Sequence, residues 1–347
     1  MEKRKLSRKE ICLLILLSAF ILFALVWSFI SDRPKDSYEP KSYEIYHYFD
    51  TVTFISDYSG DSEADFDRAC ALAADSLKYY HELFDIYNEY DGLTNIATVN
   101  RLAGEGPVTV SADLFDFLEY ALGMYELTEG EVNVAMGSVL SIWHTARDSG
   151  ERVPSSEELR AAALHCNISS VVLNRAELTV EITDPLLSLD VGAVAKGYAA
   201  EKTAEALRAA GFESYVLDVG GNIRAVGAKP NGDGWKIGVR NPDKSATEAF
   251  VYRFELSDGS AVTSGDYERY YVLDGKKYHH IIDKDTLFPS EHFRSVTVIT
   301  EHSGLADTLS TALFCMDYDS GTALLDTLDG VRAVWVTPDG RVLEYNK

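Results

Sequence analysis

The sequence predicts an α+β fold, largely antiparallel sheets with packed helices, preceded by one apolar segment of membrane-spanning length. Three observations lead there. Helical periodicity falls into five separate stretches, short β-rich runs joined by Gly or Asp turns crowd the second half, and one unbroken apolar run stands near the amino terminus.

That run, Ile11 to Ile30, is twenty residues long, and its only polar members are Ser18 and Ser28. At about 1.5 Å per residue it matches a bilayer core of roughly 30 Å. It follows Lys3, Arg4, Lys5, Arg8 and Lys9, so residues 1–10 are expected to form a cytoplasmic basic tail, with the chain beyond the span outside the cell membrane. A cleaved signal peptide would have a shorter apolar region, and Val26 to Asp32 offers no small-x-small cleavage site. Cys12 opens the run instead of following it, which argues against a lipid-modified cysteine. Residues 31–42, polar and carrying Pro34 and Pro40, read as an extended linker, and the folded domain is expected over 43–347.

Within that domain the first helix is predicted over Glu63–Leu83, where Phe66, Ala69, Ala73 and Leu77 share a face. Ala112–Leu127 is the second, with Ser111 as its cap, and Ser155 with Glu158 forms the capping box of a third that runs through Leu164. Strands follow at Ser170–Leu173 and Leu178–Ile182, and a fourth helix runs from Ala193 to Ala210 and stops at Gly211. Next come strands Ser214–Val219, Trp235–Val239, Phe250–Leu256, Tyr270–Leu273, Tyr278–Ile282 and Ser295–Ile299, several joined tightly enough for hairpins. The fifth helix, Leu305–Met316, precedes strands Ala333–Thr337 and Val342–Tyr345. No internal repeat appears, which removes solenoids and propellers.

Charge narrows the partners. The first ten residues hold five basic and two acidic side chains, and removing their +3 from the net −23 leaves −26 on the remainder. Such a surface repels nucleic acid and anionic headgroups, so no nucleic-acid partner is expected. Cysteines stand at 12, 70, 166 and 315 without a CxxC or CxxH pair, which gives zinc or thioredoxin-like chemistry no support. With Cys12 in the predicted span, the others permit at most one internal disulfide, and buried free thiols are the simpler expectation.

Four segments could carry chemistry. Leu189 to Ala200 reads as an apolar strand that breaks at Gly192 into an alanine-rich helix, where free N–H groups and Lys196 could meet an anion; close helix-to-sheet packing would use the same small residues. Val219-Gly220-Gly221-Asn222 allows a backbone to lie against a ligand, and equally an ordinary turn. Thr263 to Tyr270 is followed, after a turn at Asp274-Gly275, by Tyr278-His279-His280-Ile281-Ile282-Asp283. Adjacent strand histidines point to opposite faces, so at most one of His279 and His280 looks into a site, and either could be structural. Finally, Asp307 and Thr311 lie four residues apart on a predicted helix with Ser310 beside them. One carboxylate plus hydroxyl oxygens suits magnesium, though a capping Asp on a polar helix face would look the same.

Taken together and in order, these segments resemble the FAD:protein FMN transferases, the ApbE family. The resemblance covers about Tyr46 to the carboxyl end and includes Phe84-Asp85-Ile86-Tyr87-Asn88, Gly130 to Gly137 with Trp143 downstream, Asp190 to Tyr198, Asp218 to Asn222, Thr263 to Tyr270, His280 to Asp283 and Ala306 to Thr311. It implies an ApbE-like flavin transferase fold with FAD as substrate and Mg2+ held against its pyrophosphate by Asp307, Ser310 and Thr311, with the Ala193 carbonyl as a further ligand. By the same carry-over, Asp190 and Lys196 contact FAD, the segment around Tyr87 and the stretch Val132, Asn133, Val134 line the flavin site, and the His280-Ile281 strand passes the dinucleotide. His280 is then the proton acceptor. The implied reaction moves FMN from FAD to a Ser or Thr hydroxyl of an extracytoplasmic, FMN-carrying electron-transfer protein and releases AMP. An FAD pyrophosphatase using water at the same phosphorus, or a non-catalytic FAD-binding protein, are the rivals. Two departures stand out: Lys284 and Leu287 replace a proline and a glycine of the family's turn, and Val132-Asn133 replaces Phe-Asp, removing a carboxylate.

Overall fold

A computed structural model describes residues 40–346. The chain enters through β1 (Lys41–Ile45) and β2 (Thr53–Asp57), an antiparallel pair. α1 (Glu63–Phe84) follows, capped by Ser62 at the Asp65 amide, and it buries the Phe66, Ala69, Ala73, Leu77 face that the periodicity singles out. α2 (Ile96–Arg101) and β3 (Val108–Thr109) lead to α3 (Ala112–Leu127), which Ser111 caps at the Leu114 amide. A 3-10 turn at Val134–Met136 runs into α4 (Gly137–Ser149). In α5 (Ser156–Ala163) the Ser155 hydroxyl accepts from the Glu158 amide, while the Glu158 carboxylate pairs with Arg152. β4 (Val171–Asn174) and β5 (Thr179–Ile182) join β3 in a small sheet.

The second half supplies α6 (Ala195–Ala209), the hairpin β6 (Tyr215–Val219) and β7 (Asn222–Val226), the ribbon β8 (Trp235–Arg240) and β9 (Phe250–Leu256), and β10 (Ser260–Gly265). The hairpin β11 (Tyr270–Leu273) and β12 (Lys276–His279), β13 (Ser295–Thr300), α7 (Ser303–Cys315), α8 (Tyr318–Asp326), β14 (Arg332–Val336) and β15 (Val342–Asn346) complete it. One eight-stranded sheet, ordered β1-β2-β6-β7-β10-β13-β14-β15 and antiparallel at every step, organises the whole.

Both faces of that sheet are covered at its centre, which explains why all six residues of β13 are buried. Val296 and Val298 pack with Leu309 and Leu313 of α7, whereas Ile299 packs with Trp235 and Phe254 of the ribbon. A larger cluster joins α1, α3 and α6 to β2 and β6. The third, built on Trp143, Tyr271, Ile282 and Leu287, clamps α4 against the β11–β12 hairpin.

Several expectations need correction. The first strand among the described residues starts at Lys41, two residues inside the expected linker, because β1 pairs with β2. Strands β1, β2, β3, β7 and β10 and helices α2, α4 and α8 go beyond the sequence reading. The strand expected over Tyr278–Ile282 is instead Lys276–His279, after which Ile282 makes only an isolated bridge to Pro289. Nor is Leu189–Val191 a strand. Asn100 brackets it by donating Nδ2 to the Leu189 carbonyl (2.9 Å) and accepting from its amide (2.7 Å), a side-chain amide standing in for a neighbouring strand. Gly220-Gly221 closes the β6–β7 hairpin with both residues at positive φ, an ordinary two-residue turn. Cys70, Cys166 and Cys315 are free, and burial raises all three thiols above their usual range. The predicted membrane anchor and its basic tail lie outside the described residues; among those described, no helix is long and apolar enough to cross a membrane.

Candidate active site

The site forms where the start of α6 meets α7. Close approach is possible there because position 197 is glycine: a Cβ would stand 2.4 Å from the Asp307 Cβ and 2.5 Å from the Ser303 carbonyl oxygen. Across this contact the Gly197 amide donates to Asp307 Oδ2 at 2.7 Å. Asp307 therefore caps a helix, but not its own: its carboxylate takes an amide in the first turn of α6, one of the four that a helix start leaves without an internal partner. The free N–H cradle expected at this helix start is thus partly filled from within the protein.

Asp307 is 4 % exposed, and burial pushes its carboxyl pKa up against the lowering pull of Lys196, the Gly197 amide and Asn222. Asn222 lies beside this carboxyl, yet its Nδ2 finds no acceptor in hydrogen-bonding geometry. One turn on, Ser310 donates to the Asp307 carbonyl at 2.9 Å, and its hydroxyl lies 2.8 Å from that of Ser264 in β10. The Ser264 hydroxyl also reaches Thr311 Oγ1 at 3.3 Å. Ala193 sits in the turn that leads into α6. The sequence reading singles out Thr263 to Tyr270 but gives Ser264 no role, because only the α7–β10 contact brings it to the helix.

This set fits a magnesium ion chemically. It offers one carboxylate with hydroxyl and carbonyl oxygens and neither thiolate nor imidazole, and magnesium with few protein ligands takes the rest of its octahedron from water and phosphate. Among the described residues, no three His, Cys, Asp or Glu side chains gather as a ready-made cation cage. Phosphate oxygens would therefore have to complete the coordination.

His280 sits close enough to Lys196 and Arg269 for both to act on it. Its Nδ1 is buried without a partner, and burial, with Arg269, Lys196 and His279 adding to it, lowers its pKa to about 3. At neutral pH it is therefore an uncharged imidazole. His279 points the other way, as the strand alternation demands, with Nε2 at 2.8 Å from the Ser290 carbonyl and its ring edge-on to Phe314. Of the two histidines, it is the structural one.

A second group gathers around Asp190. Its amide donates to the Val134 carbonyl at 2.8 Å, and its Oδ1 accepts from Gly192 at 3.0 Å. Its Oδ2 faces His144 Nε2 at 3.7 Å, and His144 Nδ1 meets the Tyr87 hydroxyl at 2.9 Å. Tyr87 stands on a loop that the Asp85 carboxylate knots together, accepting from the amides of Tyr87 and Asn88, from Asn88 Nδ2 and from the Tyr90 hydroxyl. No sequence signal marked His144.

Other predicted contacts are placed differently. The side chains of Val132, Val134 and Ile281 are buried in the apolar clusters, so they serve the core and leave only backbone for a ligand. Ile281 also spends its backbone internally, on His279 Nδ1 and the Ser290 amide. Asn133 turns its amide to the Cys166 carbonyl at 2.9 Å and caps the following 3-10 turn at Ala135, a donation to a carbonyl that an aspartate could not make. The altered turn after Asp283 is internally hydrogen-bonded. Asp283 Oδ1 accepts from the amides of Asp285 and Thr286, Leu287 takes a φ of 63°, and its carbonyl accepts from Trp143 Nε1. Lys284 pairs with Glu131 and Asp285.

The pattern of the ApbE family matches residues 49–335. The chain belongs to the ApbE family. A relative named FAD:protein FMN transferase from Treponema pallidum is 36 % identical over 262 residues, 71 % of this chain and 72 % of that one. Another of that name from Klebsiella pneumoniae is 31 % identical over 268 residues, 77 % of this chain and 81 % of its own. Among solved structures, the ApbE protein of Thermotoga maritima superposes with a TM-score of 0.78 at 27 % identity, covering 88 % of this chain and 97 % of that one. The flavin transferase ApbE of Vibrio cholerae gives 0.75 at 26 %, covering 88 % and 96 %. The ApbE family membership accounts for the antiparallel α+β architecture and for the order in which the site segments occur.

Proposed function

We propose that this ApbE-family protein is an FAD:protein FMN transferase that uses Mg2+ to move FMN from FAD onto a Ser or Thr hydroxyl of an extracytoplasmic, FMN-carrying electron-transfer protein. The observation that carries the reading is the oxygen-only group of Asp307, Ser310, Thr311 and Ser264, set beside Lys196, which in turn acts on His280, whose Nδ1 has no partner.

In this reading the acceptor oxygen bonds to the phosphorus on the FMN side, the bond from that phosphorus to the AMP phosphate breaks, and AMP departs with the electron pair. The hydroxyl proton passes to His280 Nδ1. Lys196 holds the pyrophosphate in line, and the oxygens of α7 act on it only through a cation they would bind. Asp307, Ser310, Thr311 and the Ala193 carbonyl would hold magnesium, which would neutralise charge on the phosphate oxygens. A histidine held near pKa 3 is a weak base in the free protein, so it takes the proton only as the acceptor oxygen bonds to phosphorus. Asp190 and the Tyr87 loop take the flavin half. Residues 11–30 tether residues 43–347 at the outer face of the cell membrane, where such acceptors reside.

The test is intact-mass analysis of an FMN-carrier domain incubated with the full chain, FAD and magnesium, with and without chelator. A chelator-sensitive gain of one FMN is expected, and Asp307→Ala should abolish it while the fold persists. Free FMN and AMP without a mass gain would replace the transferase by a pyrophosphatase, and full transfer by Asp307→Ala would remove the metal assignment.

A further inference from the structure

His144 has no role in the chemistry above, yet it lies between two elements of the site, the Tyr87 loop and Asp190. Tyr87 is 66 % exposed, and a loop tyrosine that exposed would ordinarily sample several rotamers. Here it is held at both ends. Its amide is fixed by Asp85 Oδ1 at 2.7 Å, and its hydroxyl is caught by His144 Nδ1 at 2.9 Å from α4, a helix fifty-seven residues away in sequence. Asn95 locks the loop further by donating Nδ2 to the carbonyls of Asn88 and Glu82. The result is a largely exposed aromatic ring with its tip pinned.

One tautomer serves the whole chain of contacts. If the Tyr87 hydroxyl donates to Nδ1, the His144 proton sits on Nε2 and points at Asp190 Oδ2, 3.7 Å away, while Asp190 Oδ1 is tied to the Gly192 amide. Burial, which outweighs the pull of Asp190, holds His144 below its usual pKa and keeps Nδ1 free to accept.

We propose that His144 is a positioning residue: by anchoring the Tyr87 hydroxyl and leaning on Asp190, it presents the Tyr87 ring as a rigid platform for the planar end of the dinucleotide. This rests on the proposed flavin substrate. Holding the ring beforehand lowers the ordering cost of binding, so the effect falls on affinity and not on the phosphoryl step.

The test titrates FAD into the full chain by quenching of flavin fluorescence and measures kcat and KM for FMN transfer in the same proteins. His144→Ala and Tyr87→Phe should each weaken FAD binding roughly fivefold, the worth of one hydrogen bond, with kcat changed less than about twofold. Their combination should cost no more than either alone, and His144→Asn, whose carbonyl oxygen can accept from the tyrosine, should recover most of the loss. Wild-type affinity in both single variants, additive losses, or a fall confined to kcat would overturn the proposal. Should His144→Ala fail to fold, Tyr87→Phe on its exposed ring carries the same test. Failure of the wild-type chain to bind FAD at all would instead remove the functional reading, and this inference with it.

Discussion

Replacing Glu201 by glutamine changes one oxygen for one amide nitrogen in the middle of the structure. Glu201 is 5 % exposed and Arg224 3 %, and the pair is bidentate, with Nε to Oε2 at 3.0 Å and Nη2 to Oε1 at 2.8 Å. Oε2 also accepts from the Ser303 amide at 2.7 Å, so the carboxylate stabilises the first turn of α7, one turn ahead of Asp307. Three charge-assisted contacts thus depend on one side chain that joins α6, β7 and α7. In glutamine, the new amide hydrogens oppose those of Arg224, whose remaining charged partner, Asp258, lies half-exposed at 3.2 Å. Breaking a buried pair by removing one member costs about 3–5 kcal/mol, chiefly because the other charge is stranded. Over a domain of this length that lowers the melting temperature by roughly 5–8 °C. Urea unfolding followed by circular dichroism would read it as a lower midpoint at constant slope. Adding Arg224→Met to Glu201→Gln should recover part of the loss, since the stranded charge goes with it. A loss below about 1 kcal/mol for Glu201→Gln, or a double variant as costly as the two singles added together, would refute the argument.

Other consequences follow from the same contacts. Gly197→Ala drives a methyl into the Asp307 side chain and the Ser303 carbonyl, and should cost about 1–3 kcal/mol and most of the FMN transfer; native melting temperature with native activity would contradict the close approach of α6 and α7. His280 should set an acid limit on stability. With a folded pKa near 3, below that of the unfolded chain, the protein keeps the full benefit of neutral His280 above about pH 6.5 and loses it as pH falls toward 3, at about 1.4 kcal/mol per unit. His144 and His279 shift in the same direction, so the readout is the wild-type chain minus His280→Gln, and a difference that stays flat between about pH 6 and pH 4 would refute the buried neutral imidazole.

Much of this was legible in the sequence. Helices α1 and α3 appear within a residue of their predicted bounds because a 3.6-residue apolar repeat marks the first and the Ser111 cap marks the second. The order of motifs was enough to indicate the family, and the i, i+4 spacing placed Asp307 and Thr311 on one face of one helix. Strands β2, β7 and β10 were not legible: β2 buries polar Thr53 and Asp57 and exposes Phe54, while β7 and β10 are mostly buried along their length and carry polar residues such as Arg224 and Ser264, which blurs the period-two signal. Helix α4 was missed because its Gly137 start has no side-chain cap: it is held by the Gly137 amide on the Ser188 carbonyl, a partner distant in sequence.

The sequence by itself determined the class of fold, the family and the donor atoms available for a divalent cation, because these depend on local periodicity and residue chemistry. Only the tertiary structure decided what those atoms meet. It turned Asp307 into the cap of another helix, brought Ser264 to Ser310, sent Ile281 into the core, left His280 Nδ1 without a partner and joined Tyr87 to Asp190 through His144. The physical reason is that hydrogen bonding and burial act between groups that chain folding brings together, often more than a hundred residues apart as for Gly197 and Asp307, and no local pattern encodes such a distance.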